Sequence, residues 1–262
     1  MNTFQHQLWG YQIDLPNHWQ HKKFNHRDGF AEDPEAFLPD YQGEKLAQLL
    51  INGEWNSLQK PIFDLWQRHL GKTALMLGAK NLGAAAWEMA GAQGFEVEIV
   101  LPKKSPLRLW TGILENGFLI LTFLVLHRKE NREKIEPLIT KTIESLKYLE
   151  GIDQIDQISI ELPIPSPIVS VDPLQVVPDI PDPENWQAFQ ADFSIGALQA
   201  FYLRELPRFG WDVARYVPFP NPGKLPFARI LLGKDGQTYS LGLMPGKEGD
   251  LSSRIVLKTN QS

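Results

Sequence analysis

Apolar residues recur along the first 150 positions in two patterns, which together predict a sheet covered by helices. Alternating or continuous apolar stretches indicate strands at 8–15, 46–55, 82–90, 95–101, 107–114 and 118–126. Asn116-Gly117 predicts a hairpin between the last two strands, because Asn-Gly favours the tight turn that joins antiparallel neighbours. Helical spacing of apolar residues indicates helices at 57–70 and 132–149, the first of them ending at Gly71.

The last part of the chain, from residue 186 to residue 262, predicts a second and smaller α+β domain. Strands are indicated at 186–193, 211–217, 227–232, 238–244 and 254–258. Ser194 is expected to cap a helix that carries Leu198, Phe201 and Leu206 on its apolar face. The predicted order is therefore strand–helix–strand–strand–strand–strand.

Residues 151–185 differ in composition from both flanking regions. They contain seven acidic residues and no basic residue, and seven prolines fall between positions 163 and 183. Proline fixes its own backbone torsion and favours extended neighbours, which is typical of a semi-rigid spacer. We therefore predict an α+β domain at 1–150, an acidic, proline-rich linker at 151–185 and a small α+β domain at 186–262. Since the last region has a net charge of +3, we expect the linker to pack partly along it.

Composition excludes several classes of protein. The chain has no cysteine, which rules out disulfides, cysteine-zinc sites and cysteine nucleophiles. Neither predicted domain has the strongly basic balance of a nucleic-acid binder. The longest apolar run, 118–126, is too short for a transmembrane helix, and the amino terminus lacks the features of a signal peptide. We therefore expect a soluble, cytoplasmic protein that binds no nucleic acid.

The first predicted domain resembles the PsbP/Mog1-like family over about residues 4–150. The resemblance lies in the opening strand Trp9-Gly10-Tyr11-Gln12-Ile13-Asp14-Leu15-Pro16, followed by Trp19. It also lies in the order of elements: a helix, a strand rich in glycine and aromatic residues at 83–89, three further strands and a long final helix. The resemblance implies an α/β/α sandwich and a non-enzymatic role, as in photosystem II accessory proteins or a small-GTPase-binding protein. It assigns no functional residue.

A histidine-rich segment is the first candidate for chemistry. His18, His21 and His26 lie near Asp28 and Asp33 in the sequence. Imidazole and carboxylate groups bind transition metals when they converge on one ion. This spacing fits no known zinc pattern, so we interpret the segment as a solvated polar loop without a metal. If a metal did bind, His18 and His21 would be its ligands.

Glu96, Glu98 and His127 are the candidates for acid–base chemistry. The two glutamates share one face of a predicted strand, and paired carboxylates suit such a role when one of them is desolvated. The same alternation is typical of a solvent-facing strand, and a histidine at the end of a strand is commonly a surface residue. Gly-x-Ser-x-Gly, phosphate-loop and dinucleotide-binding motifs are absent from the sequence. We expect no catalytic residue, no metal and no cofactor.

The loop that follows residue 215 is the best candidate for contact with a partner. Its prolines stiffen it, so ordering it on binding would lose little entropy. The residues that we select are Tyr216, Phe219, Pro220, Pro222 and Lys224. The leading hypothesis is a non-catalytic protein-binding or assembly factor. A protein that binds a small ligand (a lipid, a pigment or a metal) and an enzyme with an unrecognised site are the alternatives.

Overall fold

A computed structural model describes residues 1–24, 27–38, 41, 43–77, 83–246 and 252–259. The chain divides into two compact units. Unit 1 comprises Met1–His6 and Tyr11–Tyr148, and unit 2 comprises Gln7–Gly10 and Leu149–Ser262. None of the helices in the described part of the chain is long and apolar enough to cross a membrane.

Unit 1 contains a seven-stranded sheet, a three-stranded sheet and two long helices. Its elements are β1 (Asn2–His6), β2 (Tyr11–Leu15), β3 (Gln20–Phe24), β4 (Arg27–Ala31), β5 (Ala47–Trp55), α1 (Ile62–Leu77), β6 (Ala85–Met89), β7 (Ala92–Ile99), β8 (Leu107–Asn116), β9 (Leu119–Arg128), α2 (Arg132–Glu144) and β10 (Lys147–Tyr148). The large sheet has the order β3-β4-β5-β9-β8-β7-β6 and is antiparallel throughout, and the small one has the order β1-β2-β10.

The two helices cover opposite faces of the large sheet and different parts of it. Trp66 of α1 packs against Ile113 and Ile120 on one face, and α1 lies over β7. On the other face α2 lies over β9 and touches β2 of the small sheet. This arrangement confirms the predicted α/β/α sandwich. It also leaves part of each face beyond its helix, and a cavity forms in each of these places.

Several predictions for unit 1 differ from the structure, one of them being the second helix, which ends at Glu144 and not at residue 149, since residues 147–148 pair with β2 as β10. The segment interpreted as a polar loop forms β3 and β4, which pair with each other and with β5. The polar residues of this segment do not indicate strands, because β3 is an edge strand with mostly exposed side chains. In β4, by contrast, Gly29, Phe30 and Ala31 are buried. Helix α1 begins later than predicted and continues past Gly71. A glycine inside a helix costs only about 1 kcal/mol, which packing on the sheet offsets.

Unit 2 is built on a six-stranded sheet with the order β13-β14-β18-β17-β16-β15. Its elements are β11 (Asp156–Gln157), β12 (Pro163–Ile164), β13 (Ile168–Val171), α3 (Pro173–Val176), β14 (Trp186–Ala191), α4 (Ile195–Arg208), β15 (Asp212–Val217), β16 (Ala228–Lys234), β17 (Gln237–Pro245) and β18 (Ser253–Thr259). From β14 onward this is the predicted strand–helix–four-strand order. Ser194 caps α4 as predicted, because its side chain accepts a hydrogen bond from the amide of Ala197.

Residues 151–185, predicted to be a linker, fold as part of unit 2. Strand β13 pairs with β14 and so forms an edge of the six-stranded sheet. Leu162 is fully buried, and Ile180 is nearly so. Ion pairs contribute little to this packing. Within the described residues, Glu161 is the one acidic residue of the stretch that forms an ion pair, and its partner is Lys234 at 2.5 Å. Backbone pairing and apolar burial therefore attach the stretch to its unit.

A buried carboxylate fixes the start of this stretch to α4. Glu205 is fully buried and lies 2.6 Å from both the Arg204 Nε and the Arg208 guanidinium. Its second oxygen also accepts a hydrogen bond from the amide of Ile152 at 3.4 Å, while Arg208 donates to the Ile152 carbonyl at 2.9 Å. Because a buried carboxylate requires such partners, this cluster ties the backbone at residue 152 to the helix.

Candidate functional site

A cavity of about 410 Å³ lies in unit 1, on the face of the large sheet that α2 covers. Its walls come from strands β6 to β9 and from α2. It forms because α2 lies over β9 and leaves the β6–β8 end of this face uncovered. Its size falls within the range of about 300–1,000 Å³ that is common for sites that bind small molecules.

The pairing of β7, β8 and β9 brings the acid–base candidates into this cavity. Glu98 lies opposite Trp110, and Arg108 lies opposite His127 across the next pair of strands. Glu96 is two residues from Glu98 and so shares its face of the sheet. The structure therefore gathers all three residues singled out from the sequence, and His127 is 3% exposed, so its expected place on the surface is wrong.

Glu136 of α2 is the centre of an ion-pair network on one side of the cavity. Its carboxylate lies 2.9 Å from the Arg132 Nε, 3.4 Å from the Arg108 Nε and 3.6 Å from the His127 Nε2. Arg108 also donates to Glu98. Two arginines thus compensate two glutamates, and this half of the cavity carries little net charge from them.

The hydrogen bond at the inner nitrogen of His127 fixes which nitrogen carries its hydrogen. The His127 Nδ1 lies 2.8 Å from the carbonyl oxygen of Arg128. A carbonyl oxygen can only accept, so Nδ1 is the donor in the neutral ring. The Nε2 atom then faces Glu136. The bond from Nδ1 to the backbone carbonyl therefore orients the imidazole within the cavity wall.

The other half of the cavity is aromatic and acidic. Trp87 and Trp110 meet edge to face, with ring centroids 5.3 Å apart. The indole N–H of Trp110 donates to one carboxylate oxygen of Glu96 at 3.0 Å. In the described part of the chain, Glu96 and the exposed Glu144 have no basic residue within ion-pair distance. This half therefore combines aromatic rings with uncompensated negative charge.

Gly112 of β8 makes room for the two indole rings. A Cβ atom at this position would lie 2.6 Å from a ring carbon of Trp87 and 2.8 Å from one of Trp110. Both distances are far below van der Waals contact, so any side chain there would force the rings to move. The sequence does not predict this contact, because the two tryptophans are 23 positions apart and meet only in the folded sheet.

The histidine-rich segment forms no metal site in the described residues, where no group of three or more ligating side chains converges. His18 lies 3.9 Å from Glu32, and Asp33 accepts from Tyr41 and caps a short helical turn. His26 is outside the described residues. His18 and His21, the ligands named for the case that a metal binds, thus contact different carboxylates, Glu32 and Asp28.

Asp28 instead belongs to a buried cluster between the two sheets of unit 1. The Tyr11 hydroxyl donates to it at 2.6 Å, and the His21 Nε2 lies 2.8 Å away. Burial alone would raise the pKa of Asp28, but hydrogen bonds from His21 and Tyr11 and the nearby His6 outweigh it and lower that pKa. Burial raises the pKa of Tyr11, and the charge of Asp28 adds to this effect. The cluster stabilises the contact between β2, β3 and β4.

The candidate partner loop of unit 2 is held from beneath by one buried side chain. The Gln199 side-chain oxygen accepts from the Tyr216 hydroxyl at 2.6 Å and from the amide of Phe219 at 2.8 Å. Its nitrogen donates to the Phe219 carbonyl at 2.9 Å. Pro220, Pro222 and Lys224 are exposed. The loop is thus ordered by contacts with α4 while its tip faces solvent.

Comparisons with known proteins give similarity in fold. No family model and no curated protein matches the chain. Solved structures similar to it include the cyanobacterial PsbP protein (CyanoP) of Synechocystis, with 13% identity, a TM-score of 0.44 and coverage of 56% of this chain and 91% of that one. A variant of Mog1 covers 57% of this chain and 97% of its own, with 8% identity and a TM-score of 0.39.

A third structure, from Bacteroides thetaiotaomicron, covers 94% of this chain and 87% of its own, with 8% identity and a TM-score of 0.40. The neighbours thus include both kinds of protein that give the PsbP/Mog1-like family its name. At these identities and TM-scores, the similarities carry no argument about function.

Proposed function

We propose that this chain is a non-catalytic binding protein whose cavity on the α2 face holds a small organic cation. The observation that carries the proposal is the aromatic and acidic half of that cavity. Trp87 and Trp110 present rings that meet at right angles, and Glu96 supplies a negative charge without a basic partner in the described residues. Aromatic faces beside a carboxylate attract an ammonium group more strongly than a neutral one.

The partners of the remaining polar side chains favour binding over catalysis. Glu98 and Glu136 are paired with arginines, and the His127 Nδ1 is held by a backbone carbonyl. Groups fixed in this way are suited to shape a rigid site, because adding a proton to the carboxylates or removing the one on the His127 Nδ1 would break contacts that hold the walls together. The ion-pair network therefore positions α2 beside the strands.

Titration calorimetry with choline tests the proposal, since choline is a compact quaternary ammonium probe. We expect saturable binding to the wild type and an affinity about five- to tenfold lower for Glu96→Gln, which keeps the hydrogen bond acceptor but removes the charge. Glu88→Gln is the matched control, because Glu88 is exposed on the neighbouring strand and does not line the cavity. Equal affinity of the two variants would argue against the site.

A protein partner is the second candidate function, and the support of the loop by Gln199 favours it. A loop that is already ordered loses little entropy on binding, so its exposed tip is suited to contact a protein surface. The test compares native-lysate pull-downs by the wild type, by Phe219→Ala with Lys224→Ala, and by the control Lys104→Ala in unit 1. A specific partner should be lost only with the loop variant. A cytoplasmic location stays a prediction.

A further inference from the structure

The opposite face of the large sheet carries a second cavity, of about 280 Å³, between α1 and strands β5 and β9. Its floor includes the apolar side chains of Leu50, Leu124 and Leu126, and the first two lie directly opposite each other across the strands. Thr122, Leu124 and Leu126 of β9 are partly exposed here, whereas its odd-numbered residues are buried. The floor stays accessible because α1 lies over β7, toward the other end of this face.

Basic side chains line the same cavity. Arg27 comes from β4, and Lys72 comes from α1. In the part of the chain that the structure describes, neither has a carboxylate within ion-pair distance, whereas Arg68 is paired with Glu54 at 2.8 Å. The cavity thus combines an aliphatic floor with two uncompensated positive charges, the reverse of the composition on the α2 face.

His69 lies in this cavity as a neutral ring. Thr111 donates its hydroxyl hydrogen to the Phe123 carbonyl at 2.6 Å, so it must accept from the His69 Nε2 at 2.7 Å. Burial, together with the smaller effect of the positive charges of Arg27 and Lys72, lowers the pKa of His69 to about 4. The field of both basic residues therefore reaches this ring.

We propose that this cavity binds a single-chain aliphatic carboxylate. The hydrocarbon chain would lie on Leu50, Leu124 and Leu126, and the carboxylate would lie between Arg27 and Lys72. Neither half of the site alone defines this ligand: the floor would accept any apolar group, and the two bases would accept any anion. Their combination selects an amphiphilic anion. This site is separate from the cation site, because it lies on the other face of the sheet.

NMR titration of the full chain with decanoate tests the proposal through His69. A bound carboxylate would offset the charges of Arg27 and Lys72, so the pKa of His69 should rise by the part that these two charges contribute as decanoate saturates the site. The double variant Arg27→Gln/Lys72→Gln should bind decanoate roughly tenfold more weakly than the wild type. Both side chains are exposed, so the variant is expected to fold.

Three controls separate the parts of the site. Decyltrimethylammonium has a hydrocarbon chain of the same length as decanoate's and the opposite charge. Butyrate has the same negative charge as decanoate but a shorter chain. Both should bind at least tenfold more weakly than decanoate. Lys104→Gln changes an exposed lysine outside the cavity and should leave the affinity unchanged. The proposal is overturned if decanoate leaves the His69 titration unmoved, if the double variant binds it as tightly as the wild type, or if decyltrimethylammonium binds equally well.

Discussion

The two faces of the large sheet in unit 1 carry cavities of opposite character. On the α2 face, two tryptophans and an uncompensated Glu96 lie beside an ion-pair network. On the α1 face, leucines form the floor, and Arg27 and Lys72 are the uncompensated charges. The same strands supply both, because successive side chains of a strand point to opposite faces.

The difference shows how one sheet can carry two cavities of different chemistry. Each helix covers one part of its face, α1 over β7 and α2 over β9, and the uncovered part of each face becomes a cavity. The chemistry of each cavity then depends on which residues occupy alternate positions of the strands. Changes on one face should therefore leave ligand binding on the other face nearly unaffected.

Acid should destabilise the α1 face through His69, and this is the largest expected effect. The pKa of His69 is about 4 in the folded chain, below the usual 6.5. Between pH 6.5 and pH 4, His69 therefore binds a proton in the unfolded chain but not in the folded chain. Stability is therefore complete above about pH 6.5 and falls as the pH drops, by roughly 3 kcal/mol at pH 4. Urea unfolding, followed by amide signals of β5 and β9 at pH 7 and pH 4, measures the loss.

His69→Gln is the control for this prediction. Glutamine keeps a donor for Thr111 but has no proton to bind, so most of the loss between pH 7 and pH 4 should disappear. Asp28 contributes a loss of the same sign, but its lowered pKa places that loss below about pH 4. If the variant lost as much stability as the wild type over this interval, His69 would not be buried in a neutral form.

Gly112→Ala should disturb the α2 face by about 1–3 kcal/mol of unfolding free energy. The added methyl group would meet both indole rings at less than 3 Å, so the rings must shift and the cavity must change shape. Choline binding should weaken and decanoate binding should not. Thermal unfolding and calorimetry measure the two effects.

Gly71→Ala on α1 should stabilise the protein, in contrast to Gly112→Ala. A Cβ atom at this position would have no neighbour within 4 Å, so the variant should gain about 0.5–1 kcal/mol from the reduced freedom of the unfolded chain. Destabilisation by Gly71→Ala equal to that by Gly112→Ala would show that the rings at Gly112 are not the cause.

Trp87→Leu should have the smallest effect, a loss of choline affinity of about two- to fivefold. Leucine keeps an apolar wall but has no aromatic face, and a cation over an aromatic ring gains about 0.5–1 kcal/mol at partly exposed sites. The matched variant on the other face is Leu124→Met, which preserves the apolar floor and should leave both affinities nearly unchanged. A choline affinity that survives Trp87→Leu intact would remove the aromatic part of the proposed site.

The sequence indicates the elements of both units better than it indicates the sites. Apolar runs predicted β5, β8 and β9, and a period-two pattern predicted β7 and placed Glu96 and Glu98 on one face, because both patterns are local properties. Strands β3 and β4 were missed, because the side chains of β3 are mostly exposed and polar and because Asp28 of β4 meets Tyr11 of β2 only through tertiary pairing. Packing of residues 151–185 along the last region was expected from charge, but the strand pairing and apolar burial that attach them to unit 2 depend on tertiary contacts that the sequence does not indicate.

The cavity was predicted least well. Glu96, Glu98 and His127 were candidates from their local setting, but Trp87, Arg108 and Glu136 reach the same cavity from other elements. Their convergence depends on strand order and on where α2 lies, which no short stretch of sequence encodes. The spacing of Gly112 between the two tryptophans is likewise visible only after folding.

The most direct test of the central claim follows the indole N–H of Trp110 by NMR during titration. Choline and 3,3-dimethylbutan-1-ol have nearly the same shape, but only choline carries a charge. Because Trp110 donates to Glu96, a cation bound at that carboxylate must shift the indole signal. We predict a saturable shift with choline, at least a tenfold weaker response with the neutral alcohol, and no response to decanoate. Equal responses to choline and the alcohol would show that the cavity does not select a cation at Glu96.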